Sequence, residues 1–127
     1  MSTDGGSAVD QFVIGIVGPC SSGKSTLARH FRGAGYAVRE IMQEHSAAPA
    51  MWQQITNPDI LIYLDVSAEV AARREGLSAP SSWWAEERDV RLIHARAHCN
   101  LYIDTTDLST DEVAARAAAY VRVFPGQ

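Results

Sequence analysis

The sequence predicts an α/β fold, a small and mostly parallel four-stranded sheet layered with helices. Three observations lead there. An apolar run at 12–17 is followed by a glycine-rich turn, and then by a helical pattern in which Leu27, Ala28, Phe31 and Ala34 share one face. Residues 60–65, Ile60-Leu61-Ile62-Tyr63-Leu64-Asp65, are almost continuously apolar, as in a strand covered on both faces. Strand-like and helix-like segments alternate through the rest of the chain, which implies parallel strands joined by right-handed crossovers.

The first element is the strand at 12–17. The turn after it reads Gly18-Pro19-Cys20-Ser21-Ser22-Gly23-Lys24-Ser25 and fits G-x-x-x-x-G-K-[ST], the pattern of a phosphate-binding loop. Backbone N–H groups in such a loop curl around phosphate oxygens, and glycine permits the tight turn and the close approach. The helix that follows adds a favourable positive field at its N-terminus. Lys24 is suited to bring a mobile charge to the terminal phosphates of ATP, and the Ser25 hydroxyl to ligate Mg2+. Gly18, Ser21, Ser22, Gly23 and Thr26 complete the candidate nucleotide-binding set. Lys24 is also the only lysine among 11 basic residues, a compact ammonium where arginine's broad fork is no substitute. The plainer alternative is a glycine-rich turn that merely starts a helix.

Gly33 and Gly35 end the first helix. A short strand at 36–40 follows and closes on Glu40. Residues 42–59 lack strong periodicity, with one helical turn near 51–55, and Asn57-Pro58-Asp59 breaks the chain. After the strand at 60–65, Ser67 caps a helix over 68–75 with Glu69 in its first turn. Residues 76–82 form a Gly/Pro/Ser loop. A helix is predicted over 83–98, with Val90, Ile93 and Ala97 on one face. A fourth strand lies at 101–104. Ser109 and Glu112 form a capping box for a last helix that buries Val113, Ala117, Tyr120, Val121 and Phe124. So little chain separates Ile41 from Asp59 that the strands at 36–40 and 60–65 are expected to flank the first. The ligand-binding edge is then the carboxyl edge of the sheet.

A chain of 127 residues holds one domain, here 11–127 behind a 1–10 tail that reads as disordered. The 46% apolar content is that of an ordinary globular protein, and no run approaches a membrane span. The first ten residues lack the basic start and apolar stretch of a signal peptide. Cys20 and Cys99 read as reduced thiols of a cytoplasmic protein. The formal charge of −4 argues against a nucleic-acid surface. The expected partners are a nucleotide and a small-molecule acceptor, with neither nucleic acid nor membrane; the oligomeric state stays open.

Beyond the loop, residues 16–31, the stretch Pro58-Asp59-Ile60-Leu61-Ile62-Tyr63-Leu64-Asp65-Val66-Ser67, the pair Arg73-Arg74 and Asp104-Thr105-Thr106 resemble the nucleoside and nucleotide kinase branch of P-loop proteins. The second stretch, with its following arginines, is similar to the strand that leads into the phosphate lid of thymidylate- and deoxynucleoside-kinase-like enzymes. The resemblance covers most of 12–122, and only the phosphate-binding loop is highly specific. It implies a three-layer P-loop NTPase fold with ATP phosphates at 18–26. It also implies Arg73 or Arg74 and a lid arginine on phosphates or adenine, and the loop after Asp104 beside the adenine. Such kinases usually have five core strands, with an acidic residue near magnesium on the strand beside the first. Here 41–59 has no room for a helix plus a strand, so 36–40 takes the missing neighbour's place and brings Glu40 beside the magnesium site. The lid shrinks to about 76–88.

Other residues admit two readings. Arg73, Arg74, Arg88 and Arg91 either close over phosphates or pair with Glu75, Glu86, Glu87 and Asp89 on a solvated face. His94 and His98, four apart, read as packing or surface histidines rather than metal ligands. Trp83-Trp84 either cover a bound base or anchor the lid helix. Residues 40–60 hold no Arg or Lys but do hold Glu40, Glu44 and Asp59. That suits a neutral hydroxyl acceptor better than an anionic one, with Glu44 as the candidate base, unless these are ordinary surface acids. The expected function is transfer of the ATP γ-phosphoryl group to a small-molecule hydroxyl by Lys24, Glu40, Glu44 and Arg74, with Ser25 and Glu40 on Mg2+. The alternative is a nucleotide-binding module or slow ATPase without an acceptor.

Overall fold

Side-chain alternation along the strands decides the layering. In the computed structural model, which describes residues 12–125, the first strand β1 (Val13–Val17) turns Ile14 and Ile16 to one face and Val17 to the other. The expected tail at 1–10 lies outside the described residues. After β1 come α1 (Lys24–Gly33), β2 (Ala37–Glu40), a 3₁₀ turn (Gln43–His45), α2 (Met51–Ile55) and β3 (Ile60–Asp65). Then follow α3 (Ala68–Arg74), α4 (Ser82–Glu86), a π-turn (Glu87–Arg91), α5 (Ile93–His98), β4 (Leu101–Asp104) and α6 (Thr110–Val123). Among the described residues the sheet has four strands in the order β2-β1-β3-β4, and every neighbouring pair is parallel. The first strand is flanked by the two strands that chain length demanded, and the sheet is wholly rather than mostly parallel.

Each face of the sheet carries its own core. On one, α1 and α6 pack Leu27, Phe31, Val113, Ala117 and Val121 onto Ile14, Ile16, Ile60, Ile62 and Leu64. On the other, Trp52, Leu92 and Ala95 cover Val17, Leu61 and Tyr63. All six residues of β3 are buried, as a two-faced strand requires. Full burial of each such aliphatic side chain contributes about 1.5–3 kcal/mol. Gly15 is small of necessity, because a Cβ there would lie 2.8 Å from Ile41 Cδ1 and Pro58 Cγ. Ser67 caps α3 by accepting from the Val70 N–H, and Ser109 and Glu112 complete the capping box of α6.

The helix expected over 83–98 is interrupted. The π-turn at Glu87–Arg91 adds a residue to one turn and rotates everything after it about the axis. Val90, Ile93 and Ala97, the face that the period picks out, are all exposed, the first two at 66% and 57%, while Leu92 and Ala95 are fully buried. A 3.6-residue period carried through the turn therefore predicts the wrong face. The histidines pack, as expected. Trp52 Nε1 donates to His94 Nδ1 at 3.0 Å, the His94 and His98 rings stack at 4.2 Å, and the described residues bring no third metal-ligating group to them.

At the end of β3, Asp65 is 1% exposed and accepts from Arg88 Nε at 2.9 Å, Arg88 Nη2 at 3.1 Å, the Tyr102 hydroxyl and the Val66 N–H. Burial alone would raise its pKa, but the hydrogen bonds from Arg88, Tyr102 and Val66 outweigh it and hold the carboxyl below its usual range. Burial, and then the bond to Asp65, push the Tyr102 phenol up to about 12. Around pH 4 the unfolded chain therefore binds a proton at Asp65 that the folded chain refuses. The contribution of this carboxylate is present above the unfolded pKa and lost as pH falls through the folded one. Acid titration of the melting temperature should show an extra loss below about pH 4 that disappears in Asp65→Asn. That variant should be less stable at neutral pH by about 3 kcal/mol, since Arg88 loses its partner. An acid limb identical in wild type and variant would refute the assignment.

Candidate functional site

The loop at 18–25 runs from the end of β1 into α1 and is held from outside by five side chains. Trp84 Nε1 donates to Cys20 O at 2.9 Å, and Glu87 accepts from the Cys20 N–H at 3.3 Å. Arg74 Nη1 donates to Ser21 O at 2.7 Å, and Ser21 Oγ donates to Glu75 at 2.7 Å. These two contacts hold Ser21 at φ 69, a left-handed conformation that a non-glycine residue adopts only under constraint. Thr105 Oγ1 lies 3.1 Å from Ser22 O and 2.9 Å from Asp65 O, so its one proton serves either carbonyl in turn. Gly18 packs so closely on β3 that a Cβ there would meet Leu64 O at 2.1 Å. Gly23 is a different case. It stands at φ +104 with nothing within 4 Å of a Cβ, so conformation rather than space selects glycine.

Inside this frame Lys24 Nζ donates to Gly18 O at 2.7 Å and Pro19 O at 3.2 Å. Ser22 Oγ is buried and has no hydrogen-bond partner among the described residues. Helix α1 begins at Lys24, and the Leu27 N–H reaches back to Gly23 O. The N–H groups of Lys24, Ser25 and Thr26 precede that first ring, and such a helix start favours an anion. Ser25 Oγ donates to Glu40 Oε1 at 2.8 Å, bringing the last residue of β2 to the first turn of α1. Arg32 Nη1 stands 3.4 Å from the other Glu40 oxygen. A hydroxyl and a carboxylate side by side are hard oxygen donors, the set that suits Mg2+ or Ca2+.

A cavity of about 430 Å³ opens beside the loop, between the start of α1 and the start of α6. Ser21, Ser22, Gly23 and Thr26 form one wall, Leu27, Leu108, Val113 and Ala114 the apolar part, and His30, Arg74, Thr105 and Asp111 polar edges. Its size falls in the range of small-molecule pockets.

The sequence-predicted residues divide as follows. Gly18, Ser21, Ser22, Gly23, Lys24, Ser25, Thr26, Glu40 and Arg74 gather around the loop. Glu44 belongs to the 3₁₀ turn after β2, and its side chain lies outside the described residues. Arg88, one of four lid candidates, is instead locked onto Asp65; a buried carboxylate is a stronger partner than solvent. Arg91 pairs with Glu86 at 3.5 Å, and Arg73 is exposed. Trp84 anchors its helix to the loop, while Trp83 is half-exposed. Sequence reasoning missed the grip of Thr105 and Glu87. For Thr105 a signal existed, a small hydroxyl residue directly after a strand that ends at the ligand-binding edge. For Glu87 there was none, since its partner Cys20 lies 67 residues away.

No helix among the described residues is long and apolar enough to cross a membrane. No protein-family model matches the chain, and no curated protein matches it.

Proposed function

We propose that this chain is an ATP- and magnesium-dependent kinase of the P-loop type, moving the γ-phosphoryl group of ATP to a hydroxyl of a small molecule. The observation that carries the reading is the 2.8 Å bond between Ser25 and Glu40, an acid from the neighbouring strand at the first helical turn after the loop. Three features support the fit. Gly18 lets the loop lie directly against β3, the Ser22 hydroxyl is buried without a partner among the described residues, and Ser25 with Glu40 offers hard oxygen ligands. In this reading residues 18–26 hold the triphosphate and Lys24 exchanges the Gly18 and Pro19 carbonyls for phosphate oxygens. Ser25 and Glu40 hold the magnesium, which when bound neutralises phosphate charge. The base fills the apolar part of the cavity near Leu108, Val113 and Ala114. Arg74, already at the cavity's edge, stabilises charge moved during transfer. Glu44, four residues beyond the strand end, is the candidate base for the acceptor hydroxyl. The fold is then a reduced P-loop NTPase with three layers, working in the cytoplasm on small molecules rather than nucleic acid.

The test is product detection with the full chain, ATP and magnesium against a panel of nucleosides, sugars and coenzyme precursors. A phosphorylated product with at least one acceptor supports the reading. ADP release at one rate whatever the acceptor, with no phosphorylated product, overturns it in favour of a slow ATPase. Glu40→Gln should raise the half-saturating magnesium concentration by on the order of tenfold. An unchanged magnesium dependence would remove Glu40 from the metal site.

A further inference from the structure

Three segments remote in sequence bring a thiol, an imidazole and a carboxylate to one point. Cys20 sits in the loop, His45 ends the 3₁₀ turn after β2, and Glu87 opens the π-turn; one ligand atom of each lies within 4.8 Å of the others. Glu87 is 3% exposed, so a carboxylate has been carried into the interior at this place. Its Oε2 lies 3.5 Å from Cys20 Sγ. In a tetrahedral zinc site with ordinary bond lengths, two ligand atoms stand about 3.4–3.8 Å apart. The Cys20–Glu87 pair already has that spacing. His45, exposed on a short turn, lies within 4.8 Å of both and has at most about 1 Å to close.

We infer that Cys20, His45 and Glu87 form a three-ligand site for zinc or a similarly thiolate-preferring divalent cation. The donor set separates this site from the oxygen pair Ser25 and Glu40: sulfur and imidazole select zinc, whereas magnesium prefers oxygen. Three protein ligands leave a fourth position for water or a small ligand. A bound cation ties the loop to both the 3₁₀ turn and the π-turn. The inference does not depend on what the loop binds.

The test is titration of the full chain with cobalt(II), which reports thiolate ligation by a charge-transfer absorption. The expected result is saturation at one equivalent, displacement by zinc and indifference to excess magnesium. Cys20→Ser should abolish the band, and Cys99→Ser should leave it intact. His45→Ala, at an exposed position that spares the core, should weaken cobalt binding by on the order of tenfold or more. Circular dichroism identifies any variant that has lost its fold, and His45→Ala then carries the test. A folded wild type without the band overturns the site. So does a band that survives Cys20→Ser and vanishes in Cys99→Ser, or an unchanged affinity in His45→Ala.

Discussion

Lys24→Ala should lower turnover by on the order of 10²–10³ while leaving the fold standing. The two effects separate because of where the ammonium rests. It donates to the carbonyls of Gly18 and Pro19, within the loop itself, and it takes no part in either core. Losing these contacts costs the protein about 1 kcal/mol. In the proposed kinase, losing the charge beside the triphosphate costs far more, because that charge is needed most as the γ-phosphoryl group departs. Lys24→Arg should not rescue activity, since a planar fork does not fill the place of a compact ammonium among closely spaced carbonyls. Calorimetry with ATP and magnesium, beside a turnover assay and a melting curve, checks all three. Unchanged affinity together with unchanged turnover in Lys24→Ala would sink the claim.

The second large effect belongs to Gly18. An alanine Cβ there would lie 2.1 Å from Leu64 O and 2.9 Å from Ser22 Oγ. Leu64 belongs to β3, which pairs on both sides, so its carbonyl has nowhere to go. The loop must lift away instead, and with it the grip of Trp84, Arg74 and Thr105 on residues 20–22. Gly18→Ala should lose about 3 kcal/mol of stability and its nucleotide binding together. Gly23→Ala is the control. No atom obstructs a Cβ there, and the cost is the left-handed backbone alone, about 1–2 kcal/mol. Thermal melts of both variants decide the matter; equal destabilisation, or a greater loss at Gly23, would mean that Gly18 is not pinned against β3.

The parts of the fold that could be read from sequence are those fixed by local chemistry. β3 is legible because six consecutive residues are buried, and apolar character without alternation says so directly. The caps Ser67 and Ser109 are legible because a hydroxyl accepting from an N–H three residues on is a short-range event. The neighbours of β1 followed from chain length. What stayed hidden depends on long-range partners or on a broken period. Nothing around Arg88 announces that its partner is Asp65, 23 residues earlier and at the far end of a buried strand. The π-turn has no composition of its own, so the exposure of Val90 and Ile93 could not be foreseen. In the candidate site, Lys24 and Ser25 are legible from the spacing of the motif, and Glu40 from the family resemblance together with its place at a strand end. Thr105 and Glu87 were not, because they act on backbone atoms of the loop rather than through a recognisable motif.

The strand order also governs how the sheet can be assembled as the chain is made. Residues 13–40 hold two strands that pair directly, so their pairing waits on no later strand. β3 then joins the open edge of β1, and β4 joins the open edge of β3. No later strand has to wedge itself between two that are already paired, so growth outward from β1 never undoes a hydrogen-bonded ladder. Such stepwise accretion suits a nascent chain, which presents its segments in order. The loop is nevertheless a late product. Its two ends are in place once β1 and α1 have formed, but Gly18 has no wall to rest on until Leu64 arrives, and Ser22 gains Thr105 only when the chain has passed β4. A truncated chain ending before β3 would carry every residue of the loop's motif without the surfaces that give the loop its shape.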